Sequence, residues 1–317
     1  VNESISQAKQ DDLAALIADM ARSDGRSDAA IPALTLYRRS KISEPIPCIY
    51  GLGIAVAAQG RKRLTVGDDV IEYGPGQSLL TTIDLPGVSH ISEASAKKPY
   101  LGLFLRIDAK LIAQLSAEMA FTVNRPQEPS RRAMSCQALD AGLYDAFCRL
   151  LICANEPPML RTHLAPLIQR EICVRLLTSA HGAKLWHMVS AGSPTQQIAR
   201  VVSWVKQHFH TPIEIDTLAA MANMSASTFR LHFRAVCGMS PLQFIKQIRL
   251  QEARQMLLAQ RLDAADVAHQ VGYESASQFT REYKRLFGHP PLRDFKIWWQ
   301  TAISAIPQDG EENTRGM

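Results

Sequence analysis

Apolar and polar positions along this chain change their period twice, and each change marks a different kind of element. Between Leu34 and Ile107 the sequence falls into short alternating or apolar runs, LTLYRR, IYGLGIAVAA, KRLTV, DVIEY, QSLLTT and YLGLFLRI. Gly60, Gly67-Asp68, Gly74-Pro75-Gly76 and Pro86-Gly87 divide them. Runs of period two with turn residues this close predict strands joined by tight hairpins, and so an antiparallel sheet or small barrel. Amphipathic helices flank it. Asp12 to Ala21 places Leu13, Leu16, Ile17 and Met20 on one face, and Asp108 to Met119 places Leu111, Ile112 and Leu115 on another, with Asp108 as N-cap.

From Ala138 onward strand signals vanish. Leu143 to Ala154 and Leu160 to Ser179 read as a helical pair separated by Glu156-Pro157-Pro158, which no helix interior carries. Leu160, Leu164, Leu167, Ile168 and then Leu176 or Leu177 recur at spacings of three and four in the second helix. Such a stripe packs on its own domain or forms the seam of a dimer of facing helices. Gly182 and Ala191-Gly192-Ser193-Pro194 are punctuation, so the expected division is 1–193, 194–300 and a polar tail, 301–317, that is expected to be disordered.

The last hundred residues hold an internal repeat. The segment Leu218 to Phe229, LAAMANMSASTF, matches Val267 to Phe279, VAHQVGYESASQF, with Glu274 inserted in the turn. The register continues through Phe233 with Tyr283, Arg234 with Lys284, Gly238 with Gly288 and Pro241 with Pro291. Each copy has the layout of a helix-turn-helix: a short apolar helix with a small residue where two helices approach (Ala219, Ala268), a turn, and a serine opening a second helix. Phe229, Phe233 and Val236 then face inward in the first copy, and Phe279, Tyr283 and Leu286 in the second. Ser227, Arg230, Leu231 and Arg234, and Ala276, Ser277, Thr280, Arg281 and Lys284, are left outward. Small, then polar, then basic suits a helix entering a major groove by its N-terminal end. Between the copies, Pro241 to Leu258 predicts one helix of about five turns and roughly 27 Å, a length on the scale of the ~34 Å between successive groove faces.

Charge agrees with that division. Residues 1–193 carry 21 Lys/Arg against 19 Asp/Glu, residues 194–300 carry 13 against 8, and the tail carries 1 against 3. The basic excess is modest, so recognition of a polyanion would rest on placed side chains. Six scattered cysteines without a CxxC pair fit a reducing, cytoplasmic setting, and no stretch approaches the ~20 apolar residues of a membrane helix. A polar, acidic opening is unlike a secretory signal.

The run from Ile198 to Phe295, with GMSP after the first unit and GYESASQFTREYKRLFGHPP in the second, resembles the DNA-binding domain of AraC/XylS-type bacterial transcriptional regulators. With the helix LAPLIQREICVRLL leading into it, the upstream region is similar to the subgroup whose N-terminal regulatory domain is a cupin-like barrel followed by helices. The resemblance implies an α+β chain with an all-α C-terminal domain of two helix-turn-helix units. Double-stranded operator DNA, a small-molecule effector in the barrel, RNA polymerase and a second copy of the chain are the implied partners, at the nucleoid. It implies base reading by Ser227, Arg230 and Leu231 and by Ala276, Ser277, Thr280 and Arg281. Arg230 and Arg281 are expected at equivalent outer positions. Arg234, Lys284 and Arg285, with the neighbourhood of Arg249 and Arg254, are expected at phosphates, which position without reading sequence. Two residues depart from the pattern: Leu231 stands where a basic or polar reader is common, and Pro290 replaces a Ser or Thr before Pro291.

Catalytic chemistry finds little support. Cupin metal enzymes gather histidines with a carboxylate, and His90 is the only histidine before His163. There is no GxSxG elbow, and Gly51 and Gly53 lack the third glycine and following helix of a dinucleotide site. No cofactor, no metal and no enzymatic activity are expected. An apolar-lined barrel suits small-molecule sensing, with the effector residues unassigned. The alternatives are a cupin-type enzyme fused to a DNA-binding module, and an electrophile- or redox-sensing regulator using Cys48, Cys136, Cys148 or Cys153.

Overall fold

The computed structural model describes residues 7–120, 132–260 and 263–304. The chain forms two compact units, Val1–Gln207 with Ile213–Ile245, and His208–Pro212 with Lys246–Met317.

The first unit opens with α1 (Gln7–Met20) and continues through β1 (Gly25–Asp28), β2 (Leu34–Arg39), β3 (Ile46–Tyr50), β4 (Gly53–Gln59), β5 (Arg61–Val66), β6 (Asp69–Tyr73), β7 (Gln77–Thr81), β8 (Leu85–Glu93) and β9 (Tyr100–Arg106). Then come α2 (Ala109–Met119), β10 (Met134–Ala138), α3 (Ala141–Ala154), α4 (Pro158–Thr178), α5 (Gly182–Val189), α6 (Pro194–His208), α7 (Ile215–Met221) and α8 (Ala226–Cys237). The described strands form two antiparallel sheets, ordered β1-β2-β9-β4-β7-β10 and β3-β8-β5-β6. The expected barrel is therefore an open pair of sheets and is not closed by strand pairing. Strand β4 is buried on both faces, with helices on one side and the smaller sheet on the other, which is why it reads as an unbroken apolar run. Strand β5 alternates, with Arg61 and Arg63 outward and Leu64 and Val66 buried. Helices α1 to α5 cover the larger sheet, and the Leu13 amide donates to the buried Tyr144 hydroxyl at 2.9 Å. The Asp108 side chain caps α2 by accepting from the Lys110 amide, as its position in the sequence predicts.

The strand breaks differ from expectation in two places. The run Ile49 to Ala58 divides at Gly51-Leu52 into β3 and β4, which join different sheets. Conversely, Pro86-Gly87 lies inside β8, opposite Ile49 and Cys48. Strand β5 approaches there so closely that a Cβ on Gly87 would lie 2.8 Å from the Thr65 carbonyl oxygen. The stripe on α4 also divides. Ile172, Cys173, Leu176 and Leu177 are buried in the core, whereas Met159, Leu160, Leu164 and Leu167 are exposed.

Helix α9 (Pro241–Gln260) fills the stretch expected as one long helix. The second unit contains the later part of α9, then α10 (Ala264–Gln270), α11 (Ala276–Phe287) and α12 (Pro291–Ser304). Its core gathers Leu250, Ala253, Leu257, Val267, Ala268, Val271, Tyr273, Phe279 and Tyr283. Helix α12 runs four residues into the expected tail, and 305–317 lie outside the described residues.

Candidate nucleic-acid interface and ligand cavity

Both repeats fold as helix-turn-helix units with matching local chemistry. In the first, Leu218 and Ala219 on α7 are buried against α8, and Asn223 turns the chain in the left-handed region at φ 53°. The Ser225 hydroxyl caps α8 by accepting from the Thr228 amide at 3.3 Å, and Gly238 ends it at φ 77° with its amide on the Arg234 carbonyl. In the second, Val267 and Ala268 are buried, and Gly272 makes the turn at φ 85°. Ser275 caps α11 through the Gln278 amide at 3.3 Å, and Gly288 closes it at φ 81°. Aromatic stacks fix the buried face of each recognition helix: Phe229 with Phe233 at 5.4 Å, and Phe279 with Tyr283 at 5.5 Å.

With the inner faces committed, the outer faces follow. Ser227, Arg230, Leu231 and Arg234 are exposed on α8; Ser277, Arg281, Lys284 and Arg285 are exposed on α11, with Ala276 and Thr280 half-buried beside them. Leu231 is 68% exposed, too open to be a packing residue. Aligning the capping serines pairs Arg230 with Thr280 and Leu231 with Arg281, so the two arginines stand one residue apart instead of at the equivalent positions expected.

Two residues expected at phosphates are engaged inside the second unit. Arg249 donates to the carbonyls of Phe209 at 2.7 Å, Gly272 at 2.8 Å and Thr211 at 2.8 Å. Arg254 pairs with Asp294 at 2.8 and 3.1 Å, and the same carboxylate accepts from the Tyr283 hydroxyl at 2.8 Å. Their guanidinium groups hold the fold, which corrects the phosphate reading. Glu282, on α11, is also internal. Its burial would raise the carboxyl, but hydrogen bonds from Lys246, Tyr273 and Gln278 outweigh that and hold it below the ordinary range.

The β5–β6 turn meets the end of α8, a contact that strand periodicity did not reveal. Asp68 pairs with Arg234 at 2.9 Å, and Arg132 pairs with Asp69 at 2.8 Å while donating to the Arg234 carbonyl at 2.7 Å. The Ala133 amide donates to the Val236 carbonyl at 3.0 Å. A Cβ on Gly67 would collide with the Gly238 carbonyl, so this turn can approach only as glycine. Arg234, expected at phosphate, thus already holds a carboxylate.

Between the two sheets lies a cavity of about 220 Å³ whose lining includes Tyr37, Arg39, Cys48, Tyr50, Lys62 and Tyr73. The Lys62 Nζ stands 5.2 Å from the ring centroids of both Tyr37 and Tyr50. Burial pushes the Cys48 thiol up to about 11, although Lys62 acts the other way, and burial also raises Cys136. That is the reverse of what an activated thiolate needs. Cys148 is half-buried and Cys153 buried.

These features agree with what the chain is similar to. The family described as AraC-type transcriptional regulator N-terminus matches residues 30–184, and a helix-turn-helix domain family matches residues 218–296. The HTH-type transcriptional regulator ExsA of Pseudomonas aeruginosa is 28% identical over 246 residues, covering 76% of this chain and 84% of ExsA. The RCS-specific HTH-type transcriptional activator RclR of Escherichia coli K12 is 39% identical over 77 residues, 24% of this chain and 27% of RclR. Among solved structures, a ligand-free single-residue variant of ToxT from Vibrio cholerae superposes with a TM-score of 0.55 at 9% identity, over 84% of this chain and 97% of that one, a likeness of fold. The chain belongs to the AraC/XylS-type transcriptional regulators and is a sequence-specific DNA-binding protein.

Proposed function

We propose that this regulator activates transcription from operators read by α8 and α11, under the control of a small molecule held between the sheets of its N-terminal region. The observation carrying the DNA half is the shared build of the two recognition helices, each capped by a serine and anchored by buried aromatics, with its basic and small polar residues turned to solvent. Ser227, Arg230 and Leu231, and Ala276, Ser277, Thr280 and Arg281, contact bases, Leu231 through a thymine methyl; Lys284, Arg285 and Arg234 contact phosphates. Arg281→Ala should cost about 1–3 kcal/mol on the operator and relax one base position, whereas Lys284→Ala should weaken specific and random duplexes alike. Binding titrations on both duplexes check this; equal losses for both variants on both duplexes would contradict the assignment.

The cavity supports the effector half. A second ToxT structure holds an unsaturated fatty acid, at a TM-score of 0.53 and 10% identity over 83% of this chain and 94% of that one. The activator role of RclR favours activation; RNA polymerase is then the further partner and the cytoplasmic nucleoid the place. Among the described residues no helix is long and apolar enough to cross a membrane. The chain acts as a regulator and catalyses no reaction of its own. We place its dimer seam on α4, where Met159, Leu160, Leu164 and Leu167 present an apolar face, 77% exposed at Met159 and 64% at Leu167. A second copy covers it because the same face in antiparallel register is self-complementary. Leu164→Glu with Leu167→Glu should convert a dimer to a folded monomer in analytical ultracentrifugation; an unchanged sedimentation coefficient refutes the seam.

A further inference from the structure

The cavity between the sheets carries charge of one sign. Among the described residues its lining holds Arg39 and Lys62 and no aspartate or glutamate. Lys62 lies on the inward register of β5 with Leu64 and Val66, faces the rings of Tyr37 and Tyr50, and among the described residues pairs with no carboxylate. An ammonium turned toward aromatic faces surrenders hydration that ring quadrupoles return only in part. A second deficit lies beside it. The phenol oxygens of Tyr50 and Tyr73 are buried; Ser89 lies near the first and Tyr100 near the second, but neither phenol has a hydrogen-bond partner in good geometry among the described residues. Burial holds both phenols well above the ordinary tyrosine value, so each carries a proton to donate at neutral pH.

We infer that this cavity takes a compact organic monocarboxylate, its carboxylate held by Lys62 and the phenol donors and its apolar body lying against Ile49, Ile91 and Leu103. A cation would meet Lys62 and Arg39. A neutral polyol would supply acceptors but leave the ammonium uncompensated. Inorganic phosphate would satisfy the charge and waste the apolar walls. The volume equals that of about seven waters, which suits a ring or short branched chain better than a long acyl chain. This inference rests on reading the cavity as the effector site.

The test uses the full-length protein in calorimetric titrations and thermal melts with benzoate, hexanoate, benzyl alcohol, benzylamine and inorganic phosphate. The two carboxylates are expected to bind and raise Tm, with benzyl alcohol, benzylamine and phosphate at least about tenfold weaker, the weight of a charge-assisted hydrogen bond. Lys62→Met keeps the aliphatic stem and should lose about tenfold for benzoate without a loss for benzyl alcohol. Tyr73→Phe should lose a smaller factor while keeping the wild-type Tm. Equal affinity for benzoate and benzyl alcohol, a preference for phosphate, or an undiminished carboxylate preference in Lys62→Met overturns the inference and leaves the effector reading standing. Failure of both acids overturns it too; the effector reading falls with it only if benzyl alcohol and benzylamine also fail to bind.

Discussion

Arg249 shows how much a single side chain's role depends on where its donors point. Three backbone carbonyls at 2.7 to 2.8 Å occupy its Nε, Nη1 and Nη2, and burial lowers its pKa from the ordinary guanidinium value. Each carbonyl would otherwise lose a strong donor in a part-buried place, and hydrogen bonds to charged groups are worth about 1.5–3 kcal/mol each without adding fully. Arg249→Ala should therefore lower stability by about 2–4 kcal/mol, seen as a lower urea midpoint at unchanged m-value. Arg249→Lys should recover little of it, because an ammonium cannot span the fork. The salt dependence of DNA binding should stay as in the wild type, whereas loss of Lys284 should reduce that slope by about one. A reduced slope in an Arg249 variant would return this residue to the phosphate set.

The β5–β6 hairpin is one of the elements that join the sheets to a recognition helix. Asp68 and Arg234 are both mostly exposed, so their ion pair contributes about 0–1 kcal/mol and is screened by salt. If Arg234 contacts DNA as proposed, a phosphate competes for the same guanidinium. Asp68→Asn should therefore raise operator affinity a few-fold at low ionic strength, with the gain vanishing as salt increases; Gly67→Ala, which drives a Cβ into the Gly238 carbonyl, should instead destabilise the contact between hairpin and helix. Unchanged affinity of Asp68→Asn at low salt would mean that Arg234 does not reach DNA. This contact was beyond reach of periodicity because Asp68 and Arg234 are 166 residues apart and each is polar on an exposed surface. The helix-turn-helix units were legible for the opposite reason: capping serines, small crossing residues and inward aromatics are all local, and the duplication repeats them. Strand β2 was likewise readable in full from LTLYRR, whereas β8 was hidden because Pro86 and Gly87 carry turn chemistry in a strand. Lys62 did leave a signal. In RKRLTV it shares its parity with Leu64 and Val66, and a cation on the core register asks for a partner.

At the scale of the whole molecule, the helices α4 and α5 are tied to the larger sheet through a histidine that must stay neutral. His181 is 1% exposed, lies between those helices, and its Nε2 is 2.9 Å from the Ser78 hydroxyl on β7. Burial, with Lys184 adding a smaller repulsion, lowers its pKa to about 4. In the unfolded chain an imidazole takes up its proton near pH 6.5, so the unfolded state binds more protons than the native one between these values. The stabilisation is fully present above about pH 6.5 and is lost as pH falls toward 4, to a total of about 3 kcal/mol. Carboxylates held low by their partners, such as Glu171 beside Arg149 and Arg175, act in a more acidic window. Urea unfolding across pH 4 to 8 should then show a plateau above neutrality and a decline whose slope between about pH 6 and 4.5 approaches one proton. His181→Gln keeps a polar partner for Ser78 and cannot titrate in this range, so its stability should be lower at pH 7 and nearly flat through the same window. Because α8 belongs to the same compact unit as His181, operator binding should fail along with the fold in acid, and in the variant it should follow the flatter curve. A wild-type slope retained in His181→Gln would assign the acid loss to other groups and leave this histidine a packing residue only.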